Sequence, residues 1–363
     1  MTVTPWPIPA TICDVTPAWL TAALSRSPTW SGRTIVSADA LPIGGQDSLA
    51  SAVYRVDISV ILPDGRSDQK YLLVKMHHPD PAQRDDGGYV AEARFYRERA
   101  PRISALVPET YLAEYDDRDR RLVIVQEFLS DGQIGSASSS LTVVELERVL
   151  SSLAMIHATW WDDPSLNDMS GVRPFDAVIR RAIVNLRNGE LDIHRFLDRF
   201  GALVDPALVD AYAAMPQWME QVALGLAGRS TLIHLDCSAK NLFIPRDPQR
   251  APVLFDWALF RSGHPALDLA TLLCYNMDPE EHDRMPALVR GYHEQLATLG
   301  VCDLDADALW DAVRWACLWR LAAPVFNAMA ATEARDAHVR AIVPRLNSAI
   351  FSSHALKLIR STR

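Results

Sequence analysis

The pattern of hydrophobic residues changes once along the chain, and this change limits the folds that it can adopt. Between residues 34 and 129, runs such as "AVYRVDISVIL" and "RRLVIVQEFL" are separated by turn signals such as "PDG", which predicts β-strands. After residue 140, stretches such as "TVVELERVLSSLAMIHATWW" space apolar residues as helices do. We therefore predict an α+β fold. Five antiparallel strands, with one helix after the third strand, precede a larger and mostly helical part.

The length of the chain, 363 residues, suits two lobes better than one simple core. The Ser/Gly-rich stretch "SDGQIGSASSS" predicts a linker between them. We expect an N-terminal lobe at residues 1–129, a linker at 130–140 and a helical C-terminal lobe at 141–363. Two helical stretches are predicted near residues 174–200 and 206–226.

Composition excludes several classes of partner and location. The net charge of −9, without a basic stripe, disfavours nucleic acid. There is no run of about 18 apolar residues that would predict a membrane span, and the N-terminus lacks the pattern of a signal peptide. The five cysteines are scattered without C-x-x-C pairs, so we expect free thiols in a reducing cytoplasm.

One short polar stretch in the helical part carries a pattern suited to phosphoryl transfer. "HLDCSAKN" fits H-x-D-x-x-x-x-N at His234, Asp236 and Asn241, and a predicted hairpin would return Asp256 beside Asn241. Amide and carboxylate oxygens suit Mg²⁺, so Asn241 and Asp256 are the predicted metal ligands. Asp236 then remains to accept a proton from a hydroxyl that attacks the γ-phosphate of ATP. The alternative is an ordinary polar turn.

The N-terminal part supplies the cation that such a reaction needs. Lysine is scarce, with four in the chain, and Lys75 falls in the third predicted strand, "LLVKM". Glu92 falls on the predicted helix that follows. A kinase uses a lysine at this place to hold phosphates and a glutamate to orient the lysine. The alternative for Lys75 is an ordinary charge on an edge strand, and the alternative for Glu92 is a position on a solvated helix face.

Two further segments are candidates for nucleotide binding. The turn "GGQDS" joins the first two strands, and it could offer the backbone of Gly44 and Gly45 and the hydroxyl of Ser48 to phosphates. The backbone from Glu127 to Leu129 ends the fifth strand and could meet the adenine edge.

These motifs together resemble the aminoglycoside phosphotransferase and choline kinase-like family, which shares the protein-kinase fold. The resemblance runs from about residue 34 to 275 and is closest to the ecdysteroid-kinase-like branch and its bacterial relatives. It implies a bilobal protein-kinase-like fold, ATP and magnesium as cofactors, and a small-molecule hydroxyl acceptor. It implies that Asp236 is the base, that Asn241 and Asp256 bind magnesium, and that His157, His234 and Asp268 are structural.

Two positions depart from the family pattern. Leu235 replaces the usual Gly or Asn before the base, and Ser238 stands where protein kinases have a lysine. A protein kinase itself is disfavoured, because only eleven residues separate Asp256 from Asp268 and leave no room for an activation segment.

The helical insert between residues 141 and 226 is the predicted cover of the acceptor pocket. It is rich in aromatic residues and has only four more acidic residues than arginines between Met155 and Leu226. This favours a bulky, partly apolar natural product or antibiotic over a polycationic sugar. Trp160 and Trp161 are the candidate substrate residues. The alternatives are an aminoglycoside-type antibiotic phosphotransferase and a catalytically inactive nucleotide-binding regulator.

Overall fold

The five predicted strands form one antiparallel sheet in a computed structural model. The sheet has the order β1-β2-β3-β5-β4. Its strands are β1 (Thr34–Ile43), β2 (Ser51–Ile61), β3 (Ser67–His77), β4 (Thr110–Asp116) and β5 (Arg121–Glu127). The structure describes residues 7–43, 51–84, 86–136, 138–167, 169, 172–330 and 332–360. The predicted sheet and its meander of three strands are confirmed.

The alternation of side chains along β3 sets the position of its lysine. Leu72, Val74 and Met76 are buried in a core shared with α1 (Pro17–Leu24). Successive side chains of a strand point to opposite faces, so Lys75 lies on the other face of the sheet. The helix after β3, α2 (Asp86–Arg94), carries Glu92.

The chain divides into two compact units. The first contains residues 1–130 together with Asp256–Ala258, and the second contains residues 131–255 and 259–363. Residues 132–134, within the segment predicted as a linker, form a strand of the second unit that pairs with residues 243–245.

The second unit contains two small sheets and most of the helices. Its strands are β6 (Gly132–Ile134), β7 (Thr231–Ile233), β8 (Leu242–Pro245), β9 (Val253–Leu254) and β10 (Arg261–Gly263), in the orders β6-β8-β9 and β10-β7. Its helices are α3 (Val143–Thr159), α4 (Phe175–Arg187), α5 (Ile193–Phe200), α6 (Pro206–Ala213), α7 (Met215–Gly225), α8 (Ala266–Asn276), α9 (Met285–Thr298), α10 (Ala306–Arg320), α11 (Ala322–Ala328), α12 (Glu333–Ser352) and α13 (Leu356–Arg360).

The two long helical stretches predicted in the insert are each broken into two helices. The first breaks after α4, where Gly189 has φ +80° and Asp192 caps the start of α5 through its side chain. The second breaks between α6 and α7, where Pro216 lies in the first turn of α7. Proline lacks the N–H that continuation of the preceding helix would need.

Helix α8 is the centre of the second unit, because every residue from Ala266 to Asn276 is buried. It contains one charged residue, Asp268, in the sequence "ALDLATLLCYN". A buried carboxylate must be paired or hydrogen-bonded. Among the helices of the described residues, none is long and apolar enough to cross a bilayer.

Candidate functional site

In the first unit, Lys75 is held between two carboxylates. Its Nζ atom is 2.8 Å from both carboxylate oxygens of Glu92 and 2.9 Å from Oδ1 of Asp256. The ion pair expected between Lys75 and Glu92 is therefore present. Asp256 belongs to the same unit, and its neighbour Trp257 stacks on Phe95 with ring centroids 4.0 Å apart.

The charges of this group shift one another's pKa values. Burial alone would lower the pKa of Lys75, but the carboxylates of Asp256 and Glu92 raise it above its ordinary value. Burial raises the pKa of Glu92 to about 7, although Lys75 opposes that shift. When all three groups are ionised, one cation faces two carboxylates, and the group has an excess of negative charge. This excess suits it to bind a further cation, either alone or together with a phosphate.

In the second unit, the predicted base and its neighbours form one hydrogen-bonded loop. The Asn241 amide nitrogen donates to the backbone oxygen of Asp236 at 3.0 Å and to its Oδ2 atom at 2.9 Å. Ser238 donates through its hydroxyl to Oδ1 of Asp236 at 3.3 Å. The Asp236 side chain is 25% exposed, so its carboxylate remains accessible to a substrate. Because the Asn241 nitrogen is used within the loop, the amide oxygen is the atom left to bind a cation.

His234 and Asp268 shape the start of this loop, as expected. Oδ2 of Asp268 accepts from the backbone N–H of His234 at 2.7 Å, and Oδ1 accepts from the N–H of Leu235 at 2.6 Å. Nδ1 of His234 accepts from the N–H of Asp236 at 3.2 Å, so Nε2 carries the hydrogen and donates to the Phe255 backbone oxygen at 2.9 Å. Asp268 and His234 therefore have structural roles.

His157 completes the support of Asp268. Its Nε2 atom lies 3.3 Å from Oδ2 of Asp268, and its Nδ1 atom lies 2.7 Å from the Tyr292 hydroxyl. Burial would raise the pKa of Asp268, but hydrogen bonding to His157 and the charge of His157 lower it below its usual value. These contacts, with the complete burial of His157, agree with the structural role predicted for it.

Leu235 adopts a backbone conformation that favours glycine or asparagine, with φ +68°. This explains why the family pattern has those residues before the base. The leucine side chain is buried, at 9% exposure, and Nη1 of Arg320 donates to the Leu235 backbone oxygen at 3.4 Å. The loop thus accommodates Leu235 by burial and by hydrogen bonds to both its N–H and its carbonyl.

Three residues with contacts to the loop were not assigned from sequence. Lys240 lies 3.2 Å from Oδ2 of Asp236 and places a cation on the base, where Ser238 supplies none. Asn276 hydrogen-bonds to the backbone at Cys237 and Ala239. Arg320, the third residue, donates to the Leu235 backbone oxygen. The position of Lys240, four residues after Asp236, could have indicated this contact from the sequence. No local sequence pattern indicates the contacts of Asn276 and Arg320.

The remaining nucleotide candidates are only partly described. Gly44, Gly45 and Ser48 lie outside the described residues. The N–H of Glu127 donates to the Glu109 backbone oxygen at 2.9 Å, and Oε1 of Glu127 accepts from the N–H of Glu109 at 2.8 Å. Leu129 follows the end of β5 and is half-buried. The role of the Glu127–Leu129 backbone stays a prediction.

The tryptophans proposed to bind substrate lie in different surroundings. Trp160 is 1% exposed, which favours a packing role. Trp161 donates through Nε1 to Oδ1 of Asp303 at 3.1 Å. Neither lines the groove of about 840 Å³ that lies between α4 and α7 in the second unit.

This α4/α7 groove has an apolar floor and a charged rim. Phe175, Ile179, Ile183 and Leu226 contribute the apolar surface. The five charged residues that line the groove are all in ion pairs. Asp176 pairs with Arg180, and Arg187 pairs with Glu220. Arg229 pairs with Asp162 and Asp303, which do not line the groove. The groove therefore presents little uncompensated charge to a ligand.

Comparison with known proteins places these features in a family. Residues 60–321 match the model of the phosphotransferase enzyme family (APH). The structure of choline kinase from Cryptosporidium parvum Iowa II matches with TM-score 0.51 and 11% identity, covering 95% of each chain. Plasmodium vivax ethanolamine kinase matches with TM-score 0.51 and 12% identity, covering 84% of this chain and 80% of that one.

A third structure, the GDP and kanamycin complex of APH(2″)-IIia, matches with TM-score 0.50 and 14% identity, covering 84% of this chain and 90% of that one. At these identities the solved structures establish the fold alone. A comparison with curated proteins gave no match.

Proposed function

We propose, because the chain belongs to the phosphotransferase enzyme family, that it transfers the γ-phosphoryl group of ATP, with Mg²⁺, to a hydroxyl of a small and partly apolar molecule. Membership makes the chain a phosphotransferase that acts on hydroxyl groups. The nucleotide, the metal and the acceptor are the parts that we propose. The observation that carries the proposal is the accessible Asp236 carboxylate, held by the Asn241 amide.

Asp236 is proposed to be the general base. The acceptor oxygen forms a bond to the γ-phosphorus, the bond from that phosphorus to the bridging oxygen of ADP breaks, and the hydroxyl proton passes to Asp236. The Asn241 nitrogen and Ser238 hydroxyl hold one carboxylate oxygen each. This fixes the direction of the carboxylate before the acceptor arrives, and such positioning is the main contribution that a protein makes to phosphoryl transfer.

Lys75 is proposed to bind the phosphates of the nucleotide. Glu92, which is buried, contacts its Nζ atom through both oxygens and so fixes the direction of the ammonium group. The backbone of Gly44 and Gly45, the Ser48 hydroxyl and the Glu127–Leu129 backbone are proposed as further nucleotide contacts, on the sequence pattern alone.

Asn241 and Asp256 are proposed to hold magnesium. Their donors, an amide oxygen and a carboxylate, are those that Mg²⁺ prefers, and the Asn241 nitrogen is already used within its loop. The N–H of Phe255 donates to the Asn241 backbone oxygen at 3.1 Å, and Asp256 is the next residue of the chain. When bound, magnesium would neutralise charge on the phosphate oxygens.

The acceptor is proposed to place its apolar part in the α4/α7 groove. A groove of about 840 Å³ is of the size that holds drug-sized ligands. Its paired charges suit an uncharged molecule, whereas an aminoglycoside would need an excess of carboxylates. Gly263 lines the groove and pairs with Thr231 of β7, five residues before Asp236.

The test is ATP consumption with Mg²⁺ against two panels, apolar polyols and kanamycin-like sugars. Turnover of apolar alcohols supports the proposal, and turnover of aminoglycosides alone would contradict the acceptor class. Binding of ATP without turnover of any acceptor would favour the alternative of an inactive regulator. Transfer to peptide hydroxyls would indicate a protein kinase.

The location of the acceptor can be tested by partly filling the groove. Val184 lines the rim and is 52% exposed, so Val184→Trp should fold and obstruct ligand entry. We expect its KM for the acceptor to rise about tenfold, with the KM for ATP unchanged. Val144→Trp is the matched control, because Val144 is 65% exposed on α3 and does not line the groove. Equal kinetics in the two variants would place the acceptor elsewhere.

A further inference from the structure

The loop from Asp236 to Asn241 is held by two side chains of the same buried helix. Asp268, in the first turn of α8, binds the backbone just before the base. Asn276, the last residue of α8, binds the backbone just after it. The two residues are eight positions apart in the helix, which is about 12 Å along the helix axis. One rigid element thus supports the backbone on both sides of the base Asp236.

The contacts of Asn276 use its amide group fully. Its Oδ1 atom accepts from the backbone N–H of Ala239 at 2.7 Å, and its Nδ2 atom donates to the backbone oxygens of Cys237 at 3.1 Å and Leu272 at 3.0 Å. The residue is 1% exposed. The reverse orientation of the amide would place its oxygen against two carbonyls, so the three partners determine the orientation.

The residues that Asn276 binds lie between the two groups proposed to take part in chemistry. Cys237 and Ala239 flank Ser238, whose N–H donates to the Asp236 backbone oxygen at 2.8 Å. The Ser238 backbone oxygen accepts in turn from the N–H of Asn241 at 2.8 Å. A shift of the backbone at Cys237 or Ala239 would therefore change the spacing between the Asp236 carboxylate and the Asn241 amide.

An asparagine at the end of a helix commonly serves only its own helix. Its bond to Leu272 is of that kind, because it lies within α8. The bonds to Cys237 and Ala239, 39 and 37 residues away in sequence, are not needed to end a helix. A buried amide with one acceptor and one donor contact to the same loop specifies the position of that loop, since either bond lost leaves a buried backbone group without a partner.

We propose that Asn276 is a positioning residue for phosphoryl transfer, which sets the distance between the base Asp236 and Asn241 without touching substrate. The proposal rests on the function proposed above. A misplacement of about 1 Å in a catalytic group can reduce the rate about 10²-fold. The effect should therefore fall on kcat, with a smaller effect on the KM for ATP.

The test variant is Asn276→Asp, which keeps the acceptor for Ala239 and places an oxygen where the donor to Cys237 stood. Thr271→Val is the matched control. Thr271 is buried in the same helix, and its hydroxyl donates to the Leu267 backbone oxygen at 2.6 Å, without a contact to the loop. Each variant thus loses a buried hydrogen bond of α8, but only the first loses a bond to the loop.

Two measurements decide the proposal. Hydrogen exchange of the segment 235–242 should become at least tenfold faster in Asn276→Asp and stay unchanged in Thr271→Val. Turnover of Mg-ATP, with water or an alcohol as acceptor, should fall about 10²-fold in kcat for Asn276→Asp alone. Unchanged exchange in Asn276→Asp would overturn the proposal, and so would faster exchange with unchanged kcat.

The exchange measurement does not depend on activity. A wild-type protein without turnover of ATP would contradict the proposed function, while the exchange result would still show whether Asn276 holds the loop. Asn276→Leu provides a second variant, since it removes both bonds to the loop. Its exchange should be at least as fast as that of Asn276→Asp, and slower exchange would also count against the proposal.

Discussion

Glu92 contacts Lys75 through both of its carboxylate oxygens, each 2.8 Å from Nζ, and its side chain is 2% exposed whereas that of Lys75 is 12% exposed. The Glu92 carboxylate is therefore shielded from water, and the Lys75 ammonium group is the cation that compensates its charge. A buried pair of this kind contributes little when it is intact, but removal of one partner leaves the other uncompensated.

We predict that Lys75→Met lowers the free energy of unfolding by about 3 kcal/mol, because Glu92, whose pKa is already raised to about 7, would lose its main cation and would have to take up a proton to stay buried. The double variant Lys75→Met/Glu92→Gln should recover roughly half of this loss, since the glutamine carries no charge. Urea unfolding of the three proteins measures both effects. Additive losses in the double variant would show that the two residues are not coupled.

Asp236→Asn should reduce kcat about 10²–10⁴-fold, because the amide keeps the shape of the side chain but cannot accept the acceptor's proton. The affinity for ATP should stay within about twofold. Asp247→Asn is the control, since Asp247 is an exposed acidic residue in the hairpin that follows. Turnover near that of the wild type in Asp236→Asn would refute the assignment of the base.

Two substitutions at Leu235 separate strain from burial. Both Leu235→Gly and Leu235→Ala lose the buried side chain, which costs about 1.5–3 kcal/mol. Only glycine relieves the conformation at φ +68°, worth roughly 1–2 kcal/mol. We expect the glycine variant to be less stable than the wild type and more stable than the alanine variant by about 1 kcal/mol. The opposite order by thermal unfolding would mean that the residue is not strained.

His264 should make stability depend on pH between about 4 and 6.5. Burial, with a smaller effect of the charge of His157, lowers its pKa to about 4. In this window the unfolded chain binds a proton that the folded chain does not, so the free energy of unfolding falls as the pH falls. The loss should reach about 3 kcal/mol near pH 4.

The His264→Asn variant isolates this effect. Asparagine does not titrate, and its oxygen can accept the N–H of Ala266, which donates to Nδ1 of His264 at 3.2 Å. The difference in unfolding free energy between wild type and variant should therefore shrink as the pH is lowered from 7 to 4.5. A constant difference across that range would show that His264 is not the titrating group.

Two glycines in helices should respond to alanine in opposite directions. A Cβ atom at Gly225 would lie 2.2 Å from the Trp315 ring, so Gly225→Ala should destabilise the protein by about 1–3 kcal/mol. A Cβ atom at Gly291, within α9, would meet no atom within 4 Å. Gly291→Ala should stabilise by about 0.5–1 kcal/mol. Melting temperatures of the two variants check this, and a shift in the same direction would contradict it.

The sequence predicted those parts of the fold that local patterns determine. Alternation and turn signals located the five strands, and the order of Lys75 and Glu92 along the chain was enough to predict their contact. The pattern from His234 to Asp268 predicted the supports at the start of the loop.

Other features depend on packing between distant segments. Arg320 reaches Leu235 across 85 residues of sequence and Asn276 reaches Ala239 across 37, and no local pattern indicates such contacts. The stretches near residues 174–200 and 206–226 were each predicted as one helical stretch, whereas each contains two helices, with Gly189 and Pro216 near the breaks. The resemblance to the ecdysteroid-kinase-like branch, the metal ligands and the substrate tryptophans stay predictions.

The three residues Asp256–Ala258 belong to the first unit although they follow 125 residues of the second. A ribosome that makes about 5–20 residues per second needs roughly 6–25 s to travel from residue 130 to residue 256. During that interval the nascent sheet has Lys75 with Glu92 but not with Asp256, and Phe95 without the ring of Trp257. The N-terminal unit is therefore completed late in synthesis, and a fragment ending at residue 130 would lack part of its own interior.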